Sequence, residues 1–338
     1  MKTKYSSRVF ISFHQYRTRT PRWRLVVVMG ICGSKEKGKY RDLGAASTSK
    51  SSKSPKQNVR RNASARENAW RNTGIVGLRD AGLRELPPKL FGDAAIATAA
   101  KNVDASCNRI ARLPSSIATL VNLQRLTLAR NDLTAIPVEL CACVHLKTLT
   151  LDDNRIGPSL FPREVTRDEL AAGLSALTKL ATLSLAGNRV AALPAGMGAL
   201  RSLRRLNVSR NDLADLPDAL GDCEQLEELD ASRNARITTV PSTLGALRRL
   251  ALLNLDDTSA MAIPREVFEG CASLTTLSLH RTRMSSDAVE STPGYEAHRE
   301  RVRAKHSKKI HGGSMIGSEG LDDGVDRDTS KQNIAPHA

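Results

Sequence analysis

Three stretches of the chain are near copies of one another. They are "LQRLTLARNDLTAIP" at 123–137, "LATLSLAGNRVAALP" at 180–194 and "LRRLNVSRNDLADLP" at 203–217. The shared pattern is LxxLxLxxNxLxxLP. Its asparagines, Asn108, Asn131, Asn154, Asn188, Asn211 and Asn234, are spaced 23, 23, 34, 23 and 23 residues apart. Two further units put Thr258 and Thr282 in that place at 24-residue steps, and a degenerate first unit, "LRDAGLRELP" at 78–87, has Ala81 there. The LxL segment has the two-residue period of a strand. The asparagine is suited to bond backbone groups in the turn that follows, once per unit. A unit this short cannot bury its apolar side alone, so neighbours must stack, and eight full units plus a cap-like start form one continuous body.

This pattern resembles the leucine-rich repeat. The fold it implies is an α/β solenoid, a horseshoe with a parallel concave sheet and short helices or irregular turns on the convex side. One break in the period follows Asn154, where eleven extra residues lie within "GPSLFPREVTRDELAAGL". Thr166 and Glu169 have capping-box spacing, which predicts a longer helix on the convex side. Such an insertion is either tolerated or a docking feature.

Alternation along each strand turns the residues between the leucines outward. Toward the start of the array this outward set is mostly small and uncharged, with Arg125, Thr127, Thr148, Thr150, Asp152, Thr182 and Ser184. Later it becomes a mosaic of charge and amide: Arg205, Asn207, Glu228, Asp230, Asn254, Asp256 and His280. These seven are the candidate partner-binding residues. Arg205 and Glu228 hold equivalent places in adjacent units, so a mutual surface pair is also expected. Mixed signs argue against nucleic acid on this face.

Cys143, Cys223 and Cys271 each lie three residues before a unit's first leucine, a place that Leu120, Leu177, Leu200 and Leu247 fill elsewhere. A position shared by Leu and Cys is a buried apolar slot, which argues against reading Cys141 and Cys143 as a metal pair. Disulfide-rich caps are not visible, and the glycosylation pattern "NVS" at Asn207 falls on the concave face. Both point to a reducing, intracellular setting. No phosphate loop, GxGxxG, HExxH or GxSxG appears. The reading is therefore no catalytic residue, no metal, no cofactor and no small-molecule substrate.

Net charge is +16, but it is unevenly placed. Residues 1–28 carry seven Lys/Arg and no acid, residues 35–69 carry ten basic and three acidic, and residues 70–294 carry twenty-six and twenty-five. The expected organisation is 1–28 an untranslated or targeting leader, 29–69 a lipid-anchor signal and basic disordered linker, 70–294 the solenoid, 295–312 a basic capping helix or tail, and 313–338 a disordered acidic tail. No apolar run reaches the ~20 residues of a membrane span. "MGICGS" at 29–34 fits N-myristoylation if translation starts at Met29, with Gly30 the acceptor and Cys32 beside it for palmitate. One myristoyl chain binds membranes marginally, and the basic linker supplies attraction to anionic lipid. The rival reading keeps residues 1–28 as an organelle transit peptide.

"WRNTGIVGLRDAGLRELP" (70–87), "GYEAHRERVRAK" (294–305) and "MIGSEGLDDGVD" (315–326) resemble the plant-like branch of the leucine-rich repeat-containing protein 57 family. That resemblance implies a non-enzymatic, membrane-associated repeat protein. The expected function is an intracellular protein-interaction adaptor in signal transduction, held on a cytoplasmic membrane face by N-terminal acylation. The alternatives are a soluble regulatory subunit of a phosphatase or small GTPase pathway, and a nucleic-acid-associated protein using its basic tails.

Overall fold

In the computed structural model, residues 55–162 and 174–311 are described. Nine three-residue strands form one parallel sheet in strict sequence order: β1 Ile75–Gly77, β2 Asn102–Asp104, β3 Arg125–Thr127, β4 Thr148–Thr150, β5 Thr182–Ser184, β6 Arg205–Asn207, β7 Glu228–Asp230, β8 Leu252–Asn254 and β9 Thr276–Ser278. The register is constant. Each central apolar residue pairs with the next, from Val76 and Val103 through Leu126 to Leu277. All of these central side chains are buried. This is the leucine-rich repeat horseshoe expected from the pattern.

The proline that ends each LxxLP starts the return path. Pro114, Pro137, Pro194, Pro217 and Pro241 each precede a five-residue 3₁₀ turn, such as Ser115–Thr119 and Ser242–Ala246. Proline fixes φ near −65° and has no N–H. Its carbonyl accepts from the third residue on, as Ile117 N to Pro114 O at 3.0 Å. In the last return the turn lengthens to the helix Arg265–Gly270. Neighbouring turns approach closely. A β-carbon at Gly245 would lie 2.4 Å from Glu266 O, and one at Gly270 would lie 2.0 Å from Gly245 O.

The asparagine ladder runs as the pattern requires. Asn188 Nδ2 donates to Leu185 O at 2.8 Å in its own unit and to Leu151 O at 3.0 Å in the preceding one, and its Oδ1 accepts from Ile156 N at 3.0 Å. Asn131, Asn154, Asn211 and Asn234 repeat this arrangement. Thr258 is buried in the equivalent place, but its shorter side chain donates within its own unit, to Leu255 O at 2.7 Å.

The long spacing after Asn154 does not interrupt the sheet, because Thr148 pairs directly with Thr182. Leu160, Phe161 and Leu174 flank the insertion and are buried in the common core. The expected helix and its capping pair, Thr166 and Glu169, lie outside the described residues.

Both ends of the stack are covered. Helix α1, Pro55–Thr73, precedes β1 and buries Trp70. Arg71 bonds Asp93 at 2.6 Å, and Asp93 in turn caps the helix Ala94–Ala99 through Ala95 N and Ile96 N. Part of the segment expected as a disordered linker is therefore helix from Pro55 onward. Residues 295–312, expected as helix or tail, are helical over Tyr295–His311. There Tyr295 meets Phe268 edge-on with centroids 5.6 Å apart, and Arg301 donates to Phe268 O at 3.0 Å.

Candidate functional site

The later half of the concave face gathers all seven candidate residues. Arg205 and Glu228 are register partners on β6 and β7, and their side chains pair at 3.2 Å with both groups about half exposed. Asn207, Asp230 and Asn254 are successive partners in the next row. Asp256 and His280 follow one pleat further on.

Four of the seven outward residues accept hydrogen bonds close by. Asn207 Oδ1 accepts from Ser209 N at 3.0 Å and Ser209 Oγ at 2.8 Å. Asp230 Oδ1 accepts from Ser232 N, and Asn254 Oδ1 accepts from Asp256 N. Asp256 Oδ1 reaches the next unit, accepting from Ser278 Oγ and His280 N, both at 2.7 Å. Asn207, Asp230 and Asn254 fold back onto a backbone donor where their own strand ends, as short polar side chains do at turns, while Asp256 serves the next unit. The signal is a recurring Asx-x-Ser, "DAS" at 104–106, "NVS" at 207–209 and "DAS" at 230–232. Arg205 and Glu228 pair with each other among the described residues, on the concave sheet.

A second row of charge lies beside this one. The residue before each ladder position has positive φ in every unit: Asp80, Cys107, Arg130, Asp153, Gly187, Arg210, Arg233, Asp257 and Arg281, between 51° and 68°. Its backbone N–H donates to the next unit, as Arg210 N to Ser232 O at 2.9 Å and Arg233 N to Asp256 O at 2.7 Å. The side chains thus stand in file along the rim, one per repeat, ~5 Å apart. Asp153 lies 3.7 Å from Arg130 and 3.0 Å from Arg210. Asp257 is held by Arg281, with Nη2 to Oδ2 at 2.7 Å, and lies 3.6 Å from Arg233. The Arg281 guanidinium keeps the Asp257 carboxyl below its ordinary range, with Arg233 adding to the effect. A polar cleft of about 250 Å³ opens here, lined by Arg210, Arg233, Arg281, Asn254, Asp256 and Asp257 among others. This row was legible as the Arg, Asp, Cys or Gly that precedes each ladder position, in "DA", "CN", "RN", "DN", "GN", "DT" and "RT".

Cys143, Cys223 and Cys271 are buried, each with its thiol directed at a carbonyl of the preceding unit: Ile117 O, Met197 O and Leu244 O. Burial pushes these thiols and Cys141 up to about 11. A thiol at that value is neutral at pH 7 and a poor nucleophile. Among the described residues no three His, Cys, Asp or Glu side chains gather as a metal site. No helix among them is long and apolar enough to cross a membrane. The acylation candidates Gly30 and Cys32 lie outside the described residues.

Residues 178–235 match the leucine rich repeat family model. Plant intracellular Ras-group-related LRR protein 8 of Oryza sativa subsp. japonica is 34% identical over 264 residues, covering 76% of this chain and 66% of that protein. Protein 7 of the same name and organism is 38% identical over 93 residues, covering 28% of this chain and 31% of that protein. The chain thus spans under two thirds of the length of each relative. Among solved structures, a TDR receptor shares the fold with a TM-score of 0.50 at 19% identity, over 60% of this chain and 33% of that one. Repeat register, asparagine ladder and relatives agree on the leucine-rich repeat solenoid fold, and the chain is similar to these leucine-rich repeat proteins.

Proposed function

We propose that this chain is a non-enzymatic protein-interaction adaptor of the plant-like leucine-rich repeat-containing protein 57 kind, in which repeats six to nine hold a partner. The observation that carries the reading is the Arg205–Glu228 pair. Its side chains are about half exposed on the parallel sheet and pair with one another at 3.2 Å. An exposed pair of this type contributes at most about 1 kcal/mol to stability, so its charges are free to be read by a partner. Complementary charge across an interface chiefly sets specificity and encounter rate.

The test exchanges the two: Arg205→Glu with Glu228→Arg. The exchanged pair keeps its own attraction, so melting should be unchanged. Capture of cellular partners by affinity pull-down should fall at least tenfold. Unchanged capture overturns this face as the docking surface.

In this reading the chain is tethered by acylated Gly30, supported by Cys32 and the basic stretch behind it, on the cytoplasmic side of a membrane with anionic lipid. A protein started at Met29 with Gly30→Ala should stay in the soluble fraction on liposome flotation while the parent floats. Equal flotation of both overturns the tether and leaves the docking surface standing. A second reading, a soluble regulatory subunit in a small GTPase pathway, is favoured by the Ras-group-related name of the rice relatives. It gains if the Gly30 variant and the parent are both soluble in cells and both capture a GTPase.

A further inference from the structure

The rim row contains two triads of the same form. In the first, Asp153 lies between Arg130 and Arg210. In the second, Asp257 lies between Arg233 and Arg281. Each triad has two cations and one anion, a net charge of +1. They meet head to head, because Arg210 and Arg233 belong to adjacent repeats and no acid of the row stands between them. Both guanidiniums are exposed, Arg233 by 63%. Arg281 takes both oxygens of Asp257. Arg233, at 3.6 Å, is left with attraction but no hydrogen bond to that carboxylate. The cleft opens at this junction.

We infer that the junction of Arg210 and Arg233 is a subsite for one carboxylate side chain, an Asp or Glu of a partner protein's segment lying along the rim. A carboxylate placed there continues the alternation that the row already follows, and it can accept from the donor forks of both guanidiniums. The surroundings select a lone acid. Asp153 and Asp257 flank the junction, and Asp256 borders the cleft. A run of acids, or a phosphate backbone, would place further negative charge against them. The fitting segment therefore carries its single acid between neutral or basic residues. This subsite rests on the adaptor reading and adds to it the chemistry of one contact.

The test measures binding of the full chain to the fluorescein-labelled peptide GKSDSKG, its Asn counterpart GKSNSKG, and the version with phosphoserine at the central position. The Asp peptide should bind at least tenfold more tightly than the Asn peptide, and more tightly than the phosphoserine peptide. Arg210→Gln and Arg233→Gln should each weaken it at least tenfold. Arg204→Gln, which breaks the unrelated pair with Glu227, should leave it unchanged. Arg233→Gln is at an exposed position and should keep the parent's melting temperature, so lost binding cannot be ascribed to unfolding. Equal binding of the Asp and Asn peptides, indifference to both arginine changes, or tighter binding of phosphoserine overturns the inference. Arg205 and Glu228 are untouched here. If partner capture still depends on them while the Asp peptide fails to bind, this subsite is wrong and the docking face remains.

Discussion

Arg210 donates to Asp153 at 3.0 Å across two repeats, 57 residues apart in sequence, by passing over Gly187. The contact exists because the intervening unit has no side chain at that point. A β-carbon on Gly187 would lie 2.5 Å from Asp153 Oδ1 and 3.3 Å from Arg210 Nη2.

Gly187→Ala should therefore detach Arg210 from Asp153. Other units hold Arg, Asp and Cys at similar positive φ, so the backbone cost should be modest, ~1 kcal/mol. The released Arg210 should bind the Asp peptide at least as well as the parent does. A crystal structure of the variant, in which the Arg210–Asp153 contact should be lost, reports the detachment.

Asn188→Ala should cost ~3 kcal/mol, because it strands Leu151 O, Leu185 O and Ile156 N in the core. Thr258→Ala strands Leu255 O and should cost ~1 kcal/mol. Arg189 is exposed, and its replacement by Ala should cost under ~0.5 kcal/mol. Denaturant titration should rank the three in that order.

In a Cys32→Ser background, native protein at pH 8 should react with iodoacetamide at Cys107, which is half-buried, and leave the other four cysteines intact. With thiol values of about 11, roughly one in a thousand of these four is ionised at that pH. Peptide mapping after brief labelling measures this, and all five should label once the chain is unfolded.

Asp257 should titrate below the ordinary carboxylate range, and Arg281→Gln should raise its midpoint. Because the folded value is depressed, the pairing contributes fully above the ordinary carboxylate pKa and is lost as pH falls through the depressed one. The effect should shrink in high salt, since the group is exposed.

The strand centres, the ladder and the cysteine slots could all be read from the repeat, because each is a position that many units share. Leu126 and Leu229 each lie between two apolar register partners, Val103 and Leu149 for one and Leu206 and Leu253 for the other. What could not be read there was the behaviour of polar groups. Alternation states which side of the sheet Asn207 and Asp230 leave from, but not that their oxygens turn back to Ser209 and Ser232. Helix α1 gave little signal because the stretch is polar and, among its residues of described burial, Trp70 is the buried one. Of the candidate site, Arg205 and Glu228 were found by register. The rim arginines were passed over, because a residue next to a conserved-looking asparagine reads as turn rather than surface.

The left-handed place before each ladder residue accepts four kinds of amino acid in nine repeats with hardly any change in the chain's path. A single codon change there alters the sign or size of one point on the rim and leaves strand, ladder and core as they were. Natural variation at these nine sites can redirect which proteins are recognised without first having to solve folding again. Recombination of whole repeats would shuffle the same order of charges like beads on a string. Among relatives of this chain, the identity of those nine residues should diverge fastest where partners differ.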